Sequence, residues 1–537
     1  MFRESQLQII GKYFSAITEE MALRLRLSAF SPNIRDRRDL SCALFDSNGL
    51  LVTQSETIPA HLGPGIQMTL QSLLKNADEI LHSDVLITND PFTGSSNHLP
   101  DVTLASPIFY NSAPIGYVAC RAHHADIGGS SPGSMGSSVT EIYQEGLRIP
   151  FEKIREEGKI NNYFLNLIMA NTREGRARKS DLLAQVAALD TGIIRLSELI
   201  EKKTVERVGE AMKGVQTSAK LLMEKAIEKV GDIDIQGEDW VEDDGLAENM
   251  HKLHLNLQIK GKELSLDFAG SANQAKGSIN TAKSLALAGC FFGIKAVIAP
   301  KVPPNAGSFS PIQINLPKGS ILNPNQPSPV AAGNETAQRV VDVILLCFSK
   351  ILPEIPAASN GAMTDTTLGG ISSGKAWSFY ETIGGGSGAT AIHDGVDGVH
   401  CYLTNTFNTP VEVIERTYPF RIRRYELIPN TGGQGKYRGG LGILREYEAV
   451  EECRFAVLGE RNKIGPWGLK GGKSGRTGQI FTVIDGIQLK ASLSKFHGIL
   501  KPKNILRIET AGGGGFGNPE ERIIELKRYD KLDGKIT

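Results

Sequence analysis

The chain has 537 residues, and its 59 Lys and Arg residues balance 59 Asp and Glu residues, so the formal net charge is zero. This neutrality argues against a nucleic-acid-binding protein, which needs a basic surface to neutralise phosphates. No basic amphipathic segment indicates a membrane partner. At roughly 100–200 residues per domain, the length allows two to four domains.

Glycine is the one residue type in excess, at about 11% of the chain against a typical ~7%. The excess lies in clusters bounded by β-branched and aromatic runs, at 384–386, 432–433, 439–440, 471–472 and 512–515. Such clusters are typical of tight turns and close backbone approaches in sheet-rich structure. They do not have the triplet period of collagen or the composition of a flexible linker.

The cysteines and the N-terminus indicate a cytoplasmic protein. The six cysteines are far apart and form no Cys-x-x-Cys pair, so buried free thiols are expected. The first residues lack the basic and apolar regions of a signal peptide. The most apolar segment, 285–299, is interrupted by Lys295 and is shorter than the ~20 residues of a membrane-spanning helix.

Hydrophobic periodicity predicts the following elements in chain order. Residues 5–30 form an amphipathic helix, and an Asn-Gly turn places a β-hairpin over 41–53. The elements that follow are a helix over 66–82, a strand over 85–88, paired strands over 102–109 and 115–121, a helix-rich stretch over 161–230, a strand over 251–259, and helices over 277–300 and 335–351. After residue 370 the pattern is one of short strands and glycine turns.

These elements predict an α+β fold, of mixed α/β character, in a single subunit with several regions and a β-rich C-terminal part. The regions are an N-terminal α+β region (1–160), a helical region (161–235), a central α/β region (236–370) and the β-rich, glycine-turn region (371–537).

Two polar segments, 89–101 and 123–129, lie at the open end of the predicted hairpin over 102–121. They contain the candidate metal-binding and catalytic residues. Because paired strands lie ~4.8 Å apart, His98 and Asp101 can face His123 and Asp126 across the hairpin mouth. Two imidazoles with one or two carboxylates suit Zn²⁺, Mn²⁺ or Fe²⁺ better than Mg²⁺ or Ca²⁺. A metal site with an open position can polarise a carbonyl or lower the pKa of bound water.

Plainer interpretations of the same residues stay open. Asp and Asn before Pro or Gly are ordinary turn residues, and a loop histidine is usually exposed or hydrogen-bonded. The alternating charges of 35–39 indicate either a surface turn with salt bridges or a carboxylate, Asp39, that enters the metal site. The glycine-rich segment 128–136 lacks the ending of a P-loop, so a loop covering the substrate is the better interpretation. The absence of a Gly-x-Ser-x-Gly elbow argues against a serine hydrolase.

A series of motifs in a characteristic order identifies a family resemblance. They include Thr-Asn-Asp-Pro at 88–91, His-Leu-Pro-Asp at 98–101, His-His-Ala-Asp-Ile-Gly-Gly at 123–129, and further matches at 31–34, 38–46, 141–150, 303–309, 333–336, 384–389, 404–412 and 512–519. With them the chain resembles the hydantoinase B/oxoprolinase family. That family comprises the B-type component of ATP-dependent hydantoinases, the C-terminal half of 5-oxoprolinase and, more distantly, the large subunit of acetone carboxylase.

The resemblance implies an ATP-dependent cyclic amide hydrolase of the 5-oxoprolinase or N-methylhydantoinase type. An A-type nucleotide-binding subunit would hold ATP and Mg²⁺ and phosphorylate the amide oxygen, in a hetero-oligomer expected to be A2B2. This chain would be the B-type subunit, and its divalent metal (Zn, Mn or Fe) would activate water against the carbonyl. The substrate would be a small cyclic amide such as oxoproline, a hydantoin or a lactam.

Carried over motif by motif, the resemblance implies metal ligands at His98, Asp101 and His123, with Asp39 as the fourth. His124 and Asp126 become acid/base candidates or supports for the ligands. Two alternatives remain: a component of an ATP-dependent carboxylase like acetone carboxylase, and a non-catalytic scaffold for the A-type subunit. The chain carries no nucleotide-binding half, so it resembles the form in which the two components are separate chains.

Overall fold

The computed structural model describes residues 4–55, 58–61 and 63–537. The α-helices are α1 (Glu4–Ser28), α2 (Pro32–Arg35), α3 (Pro64–Asn76), α4 (Asn162–Asn171), α5 (Gly175–Lys203), α6 (Val205–Val230), α7 (Lys283–Ile298), α8 (Ala306–Phe309), α9 (Gly333–Phe348), α10 (Val411–Thr417) and α11 (Ile524–Leu532). Short 3₁₀ turns lie at Pro59–His61, Pro132–Ser134, Ile142–Gln144 and Pro519–Glu521. Within these described ranges, no helix has both the length and the apolarity needed to cross a membrane.

The strands are β1 (Leu40–Asp46), β2 (Leu51–Gln54), β3 (Val85–Thr88), β4 (Asp101–Tyr110), β5 (Ala113–His123), β6 (Glu152–Glu156), β7 (Lys159–Ile160), β8 (Ile233–Val241), β9 (His251–Lys260), β10 (Glu263–Asp267), β11 (Ile312–Asn315), β12 (Asp365–Ser372), β13 (Lys375–Glu381), β14 (Phe420–Leu427), β15 (Ile443–Ala449), β16 (Cys453–Leu458), β17 (Gln479–Ile484), β18 (Ile487–Lys490), β19 (Lys495–Leu500) and β20 (Ile505–Glu509). Mixed helices and sheets of this kind confirm the predicted α+β class.

The N-terminal sheet has the order β2-β1-β5-β4-β3-β6-β7, and its neighbours run antiparallel. α1 and α5 pack on the sheet, and α3 packs beside β3 and β4. The buried residues of α1 include Phe14, Met21 and Leu25, at the helical spacing expected for an amphipathic helix. Both predicted hairpins are present, as β1–β2 and as β4–β5.

The central sheet has the order β11-β10-β9-β8, and α9 packs against β8 and β9. Helix α7 packs against α9. The predicted strand over 251–259 and the helices over 277–300 and 335–351 correspond to β9, α7 and α9. Every residue of α9 from Gly333 to Leu345 is buried, so this helix runs through the interior.

Buried ion pairs join the central region to the C-terminal region. Arg461 Nη2 lies 2.8 Å from Asp342 Oδ2 of α9 and 3.3 Å from Asp239 Oδ2 of β8. The fully buried Glu460 side chain accepts a hydrogen bond from Glu242 N (3.1 Å) across the same boundary, and it pairs with Lys495 of β19 within the C-terminal region. A buried charge is costly unless it is paired, so Arg461 requires its two carboxylate partners in the central region.

The C-terminal region contains two antiparallel sheets, β13-β12-β16-β19 and β14-β15-β20-β17-β18. Side chains from both sheets, including Phe379, Tyr447 and Phe455, share one hydrophobic core. This arrangement agrees with the β-rich character predicted after residue 370. No periodic pattern indicated α10 or α11, which are short and lie between or after the strands.

The glycine clusters bring extended segments into contact backbone to backbone. Gly513 N donates to Gly440 O (2.9 Å), Gly440 N donates to Ser387 O (2.8 Å), and Gly433 N donates to Gly513 O (2.8 Å). A Cβ atom placed on Gly513 would lie 1.8 Å from Ser387 O. Neither Gly440 nor Gly513 has a positive φ. The absence of a side chain, and not backbone freedom, is therefore what these positions require.

We expect Gly513→Ala to lower the denaturant midpoint of unfolding markedly, because its methyl group would force three packed segments apart. Overpacking of this kind typically costs about 1–3 kcal/mol. Gly209→Ala in α6 is the matched control, since a Cβ there meets no atom within 4 Å. That control should unfold at the parent's midpoint or slightly above it. Equal midpoints for Gly513→Ala and the parent, measured by circular dichroism in urea, would contradict the packing argument.

Candidate metal centre

Three buried side chains converge at the open end of the β4–β5 hairpin. Asp101 begins β4 and His123 ends β5, and the two are direct register partners. Asp101 Oδ1 lies 3.2 Å from His98 Nε2 and 3.3 Å from His123 Nδ1. His98 Nε2 and His123 Nδ1 lie 3.2 Å apart. The structure therefore brings together three of the residues that the sequence predicted as metal ligands.

A third imidazole, which no sequence motif singled out, reaches the same carboxylate. His61 Nε2 lies 3.5 Å from Asp101 Oδ1 and 3.8 Å from Asp39 Oδ1. His61 Nδ1 lies 3.3 Å from Ser41 Oγ, so the ring is held from both sides. Asp39, the predicted fourth ligand, thus lies beside His61. Among the described residues, His98, Asp101 and His123 form a group whose ligand atoms all lie within 4.8 Å of one another.

Hydrogen bonds fix the Asp101 carboxylate so that one oxygen faces the imidazoles. Asn97 Nδ2 donates to Asp101 Oδ2 (3.1 Å) and to Ala60 O (3.0 Å), which links the carboxylate to the turn that carries His61. Asn33 Nδ2 donates to His123 O (2.6 Å). Asp101 Oδ1 therefore faces the imidazole rings of His61, His98 and His123.

The donor set fits a divalent cation. Asp101 Oδ1 is buried and has imidazole nitrogens at 3.2–3.5 Å, yet it accepts no hydrogen bond of normal geometry within the described residues. A buried carboxylate oxygen that lies close to imidazole nitrogens but accepts no hydrogen bond is one that a cation would satisfy. Imidazole nitrogens combined with carboxylate oxygens suit Zn²⁺, Mn²⁺ or Fe²⁺.

The local charges favour ionised Asp101. Burial opposes ionisation, but the neighbouring His98 and His61 hold the pKa of Asp101 well below its usual range. Burial likewise opposes protonation of His98, yet the Asp101 carboxylate outweighs it and raises that pKa to about 8. Burial lowers the pKa of His123. A cation entering this cluster must therefore displace a proton, which makes its binding dependent on pH.

The C-terminal region closes the cluster from the other side. The Tyr380 ring of β13 stacks on the His123 ring, with centroids 4.3 Å apart and an interplanar angle of 11°. The Arg37 guanidinium lies 4.8 Å from the Tyr380 ring centroid. Tyr380 Oη donates to Asp365 Oδ1 (2.6 Å), while Asp365 Oδ2 is buried without a hydrogen-bond partner in the described residues. Burial raises the pKa of Asp365 to about 6.

The central region also reaches His98. His98 Nδ1 lies 3.5 Å from Ala331 O, just before α9. Glu145 Oε1 accepts hydrogen bonds from the backbone N–H groups of Val330 and Ala331 (2.7 and 2.8 Å), which holds this segment in place. Residues of the predicted N-terminal, central and C-terminal regions therefore all surround one cluster.

The structure does not bring the two predicted catalytic residues, His124 and Asp126, to the cluster. His124 Nε2 lies 2.9 Å from Gln185 Oε1 of α5. Burial, together with the positive charge of Arg178, lowers the pKa of His124 to about 4. Successive side chains of extended backbone point in opposite directions, so His123 and His124 cannot both face the cluster.

The Asp126 carboxylate binds backbone groups of the glycine-rich segment that follows it. Its carboxylate accepts hydrogen bonds from the N–H groups of Gly128 and Gly133 and pairs with Arg173 at 2.9 Å. Both oxygens thus hold the glycine-rich segment in place. The catalytic roles of His124 and Asp126 stay predictions that no contact with the cluster supports.

A comparison with protein-family models shows to which family the chain belongs. The model described as hydantoinase B/oxoprolinase matches residues 4–519. The chain belongs to this family. The resemblance identified in the sequence is therefore confirmed.

Curated relatives in the family differ in length. An uncharacterised protein of Methanocaldococcus jannaschii is 43% identical, over 99% of this chain and 93% of that protein. The putative B-type component of a D-/L-hydantoinase from a Pseudomonas strain is 30% identical, over 99% of this chain and 92% of its own length. 5-Oxoprolinase 1 of Arabidopsis thaliana is 34% identical over 96% of this chain, but the match spans only 42% of that protein.

Two solved structures share the fold. The ATP-dependent caprolactamase of Pseudomonas jessenii superposes with a TM-score of 0.91 at 25% identity, covering 100% of this chain and 95% of the other. Acetone carboxylase superposes with the same TM-score of 0.91 at 18% identity, covering 99% and 78% of the two chains. The similarity to acetone carboxylase shows a shared fold only.

We expect His61→Ala to weaken zinc binding by the isolated chain without abolishing it. His61 supports both Asp39 and Asp101, and removal of a group behind a metal ligand typically costs ~10–100-fold in affinity. Competition with a chromophoric zinc chelator measures the change. His254 lies on β9 and its imidazole pairs with Glu238 of β8, so His254→Ala is the control and should leave the affinity unchanged. An unaltered zinc affinity in His61→Ala would show that the turn does not support the cluster.

Proposed function

We propose that this chain is the B-type subunit of an ATP-dependent cyclic amide hydrolase. The observation that carries the proposal is the convergence of His98, Asp101 and His123 in one buried cluster, in a chain of the hydantoinase B/oxoprolinase family. Relatives named as a 5-oxoprolinase, a hydantoinase component and an ATP-dependent caprolactamase support hydrolysis of an amide ring.

The proposal includes a partner that binds ATP and Mg²⁺. The chain covers nearly the whole of a protein named as the B-type component of a hydantoinase, but 42% of a plant 5-oxoprolinase. We infer that an A-type subunit supplies the remaining function in a hetero-oligomer, with A2B2 as the expected assembly. On that subunit ATP would phosphorylate the amide oxygen, because a resonance-stabilised amide is a poor electrophile until its oxygen becomes a leaving group.

In this proposal, His98, Asp101 and His123 hold a divalent cation, and Asp39 is the fourth ligand. When bound, the cation supplies Lewis-acid polarisation of the carbonyl and a lowered pKa for a water molecule. His61 and Asn97 orient the Asp101 carboxylate from either side. The Tyr380 ring, stacked on His123, excludes bulk water from that face of the site.

Asp365 is our candidate for the group that accepts a proton during hydrolysis. Its Oδ2 is buried and free of hydrogen bonds in the described part of the chain, while Oδ1 is held by Tyr380 Oη. A positioned carboxylate beside the reacting centre can act as a general base. His124 and Asp126 would then contribute only indirectly, through Gln185 and through the glycine-rich loop.

Carboxylation is the less supported alternative. The likeness to acetone carboxylase is at 18% identity and extends to the fold alone, so it does not favour carboxylation over hydrolysis. Bicarbonate dependence of ATP turnover would distinguish the two reactions.

We expect His98→Ala to remove stoichiometric metal from the complex with the A-type partner and to reduce ring opening to background. The reason is that His98 supplies one of the three converging ligand atoms. Elemental analysis gives the metal content, and ATP hydrolysis is measured with 5-oxoproline, hydantoin, N-methylhydantoin and ε-caprolactam. His254→Ala should retain both metal and turnover. Full activity in a metal-free His98→Ala complex would refute a metal role in the reaction.

We expect Tyr380→Phe to retain metal but lose turnover, because the ring still stacks on His123 while the hydrogen bond to Asp365 is lost. Loss of support for a general base should lower kcat by roughly tenfold or more. The Tyr380 hydroxyl helps to lower the pKa of Asp365, so that pKa should rise in the variant. The acidic limb of the kcat profile then moves to higher pH. A parental pH profile would argue against Asp365 as the base.

A further inference from the structure

An open cavity of about 410 Å³ lies beside the segment that leads into β6, and none of the metal-cluster residues lines it. Tyr143, Leu147 and Pro150 contribute apolar walls. Gly129 of the glycine-rich segment and Asn171 at the end of α4 also line the cavity. Small-molecule sites in proteins span ~300–1,000 Å³, so this cavity has room for a small organic ligand.

Arg148 is the charged residue of the cavity wall, and its guanidinium is held along one edge. Its Nε and Nη2 lie 2.7 and 2.6 Å from Oδ2 of Asp90, whose side chain is fully buried. Nη1 makes no hydrogen bond within the described residues, yet it is not buried, so solvent reaches it. The guanidinium carbon lies 5.3 Å from the ring centroid of Tyr143, which lines the same cavity. The free end of the guanidinium is therefore available on the cavity side.

Further hydrogen-bond donors surround Arg148. Oδ1 of Asp90 accepts two backbone N–H groups at 2.8 Å each, so the charge of this carboxylate is shared with them and does not fully offset the guanidinium. Gly129 and Gly146, which also line the cavity, have N–H groups without a hydrogen-bond partner in the described part of the chain. A guanidinium with a free end, beside unpaired backbone N–H groups, is a set of donors that binds anions.

We propose that this cavity binds an organic carboxylate with a short apolar chain. The carboxylate lies on the free end of the Arg148 guanidinium, and the chain packs against Tyr143, Leu147 and Pro150. A carboxylate is planar and accepts two parallel hydrogen bonds from an arginine, whereas an ammonium group offers no such match. Because Asp90 uses the other edge of the guanidinium, both carboxylates can bind at once.

The proposed function supplies a ligand of this class. Hydrolysis of a cyclic amide adds water across the C–N bond and converts the carbonyl group into a carboxylate. The ring-opened product therefore has the chemistry that the cavity fits. This identification of the ligand rests on the proposed function, whereas the site itself rests on the lining residues alone.

Hexanoate binding to the full chain, stripped of metal and followed by saturation-transfer NMR, tests the site without ATP or a partner. Tyr143 is 57% exposed, so substitutions there should not disturb folding. Tyr143→Glu places a negative charge beside Arg148, and Tyr143→Gln is its neutral match. Tyr143→Glu should bind hexanoate roughly tenfold more weakly than Tyr143→Gln, because juxtaposed like charges are unfavourable.

Arg148→Lys tests the planar end of the guanidinium directly. The variant keeps a cation for the buried Asp90 but loses the paired donors, so it should also bind hexanoate roughly tenfold more weakly than the parent. Arg195→Lys, in an exposed pair with Glu20 of α1, is the control and should bind like the parent. Equal hexanoate affinities in Tyr143→Glu and Tyr143→Gln, or no hexanoate signal in the parent, would overturn the carboxylate site.

Three further probes define the ligand class. 6-Aminohexanoate, the hydrolysis product of ε-caprolactam, should compete with hexanoate, whereas hexylamine and inorganic phosphate should not. Equal competition by hexylamine would reduce the cavity to an apolar groove, and stronger competition by phosphate would make it an inorganic-anion site. Either result would overturn the proposal. Failure of 6-aminohexanoate to compete would overturn the link to the product.

The outcomes separate this proposal from the proposed function. Without a carboxylate site, the metal cluster could still catalyse hydrolysis, as elemental analysis and activity of the complex would show. Conversely, hexanoate binding that Tyr143→Glu and Arg148→Lys weaken would support the site even if the His98→Ala complex kept its activity.

Discussion

The register of the β4–β5 hairpin is the constraint on which the rest of the site depends. Asp101 and His123 are opposite each other in an antiparallel ladder, where paired side chains lie ~4.5–5.5 Å apart. A slip of one residue would turn His123 away and present a different side chain to the cluster. The turns that carry His98 and His61 approach the Asp101 oxygen that this register puts in place.

Residues from three of the predicted regions meet at the cluster. His123 lies between a β4 carboxylate and a Tyr380 ring from the C-terminal sheets, while His98 approaches the backbone before α9. Buried ion pairs such as Arg461–Asp342 hold the same regions together elsewhere. Because unpaired buried charges are strongly unfavourable, these contacts couple the packing of the regions to the geometry of the centre.

The sequence predicts well those structural features that depend on the local pattern of residues along the chain. Alternation and turn residues locate the β4–β5 hairpin, and with it His98, Asp101 and His123. The same alternation indicates that the side chain of His124 points away from that of His123. Assigning every residue of the His-His-Ala-Asp motif to the site overlooks this alternation. His61 lies on a 3₁₀ turn with no periodic signal, and Tyr380 meets His123 only through long-range packing, so neither can be found from spacing. The glycine excess indicates close backbone approach, but not which separate segments meet.

The stacking of Tyr380 on His123 has a consequence for how the centre is assembled. During synthesis the hairpin that carries His98, Asp101 and His123 leaves the ribosome long before β12 and β13. Until those strands fold, one face of His123 stays open to water, and Asp365 is missing. The cluster therefore becomes complete only after the C-terminal strands have folded onto the N-terminal sheet, and any cation bound before then would meet a more open cluster.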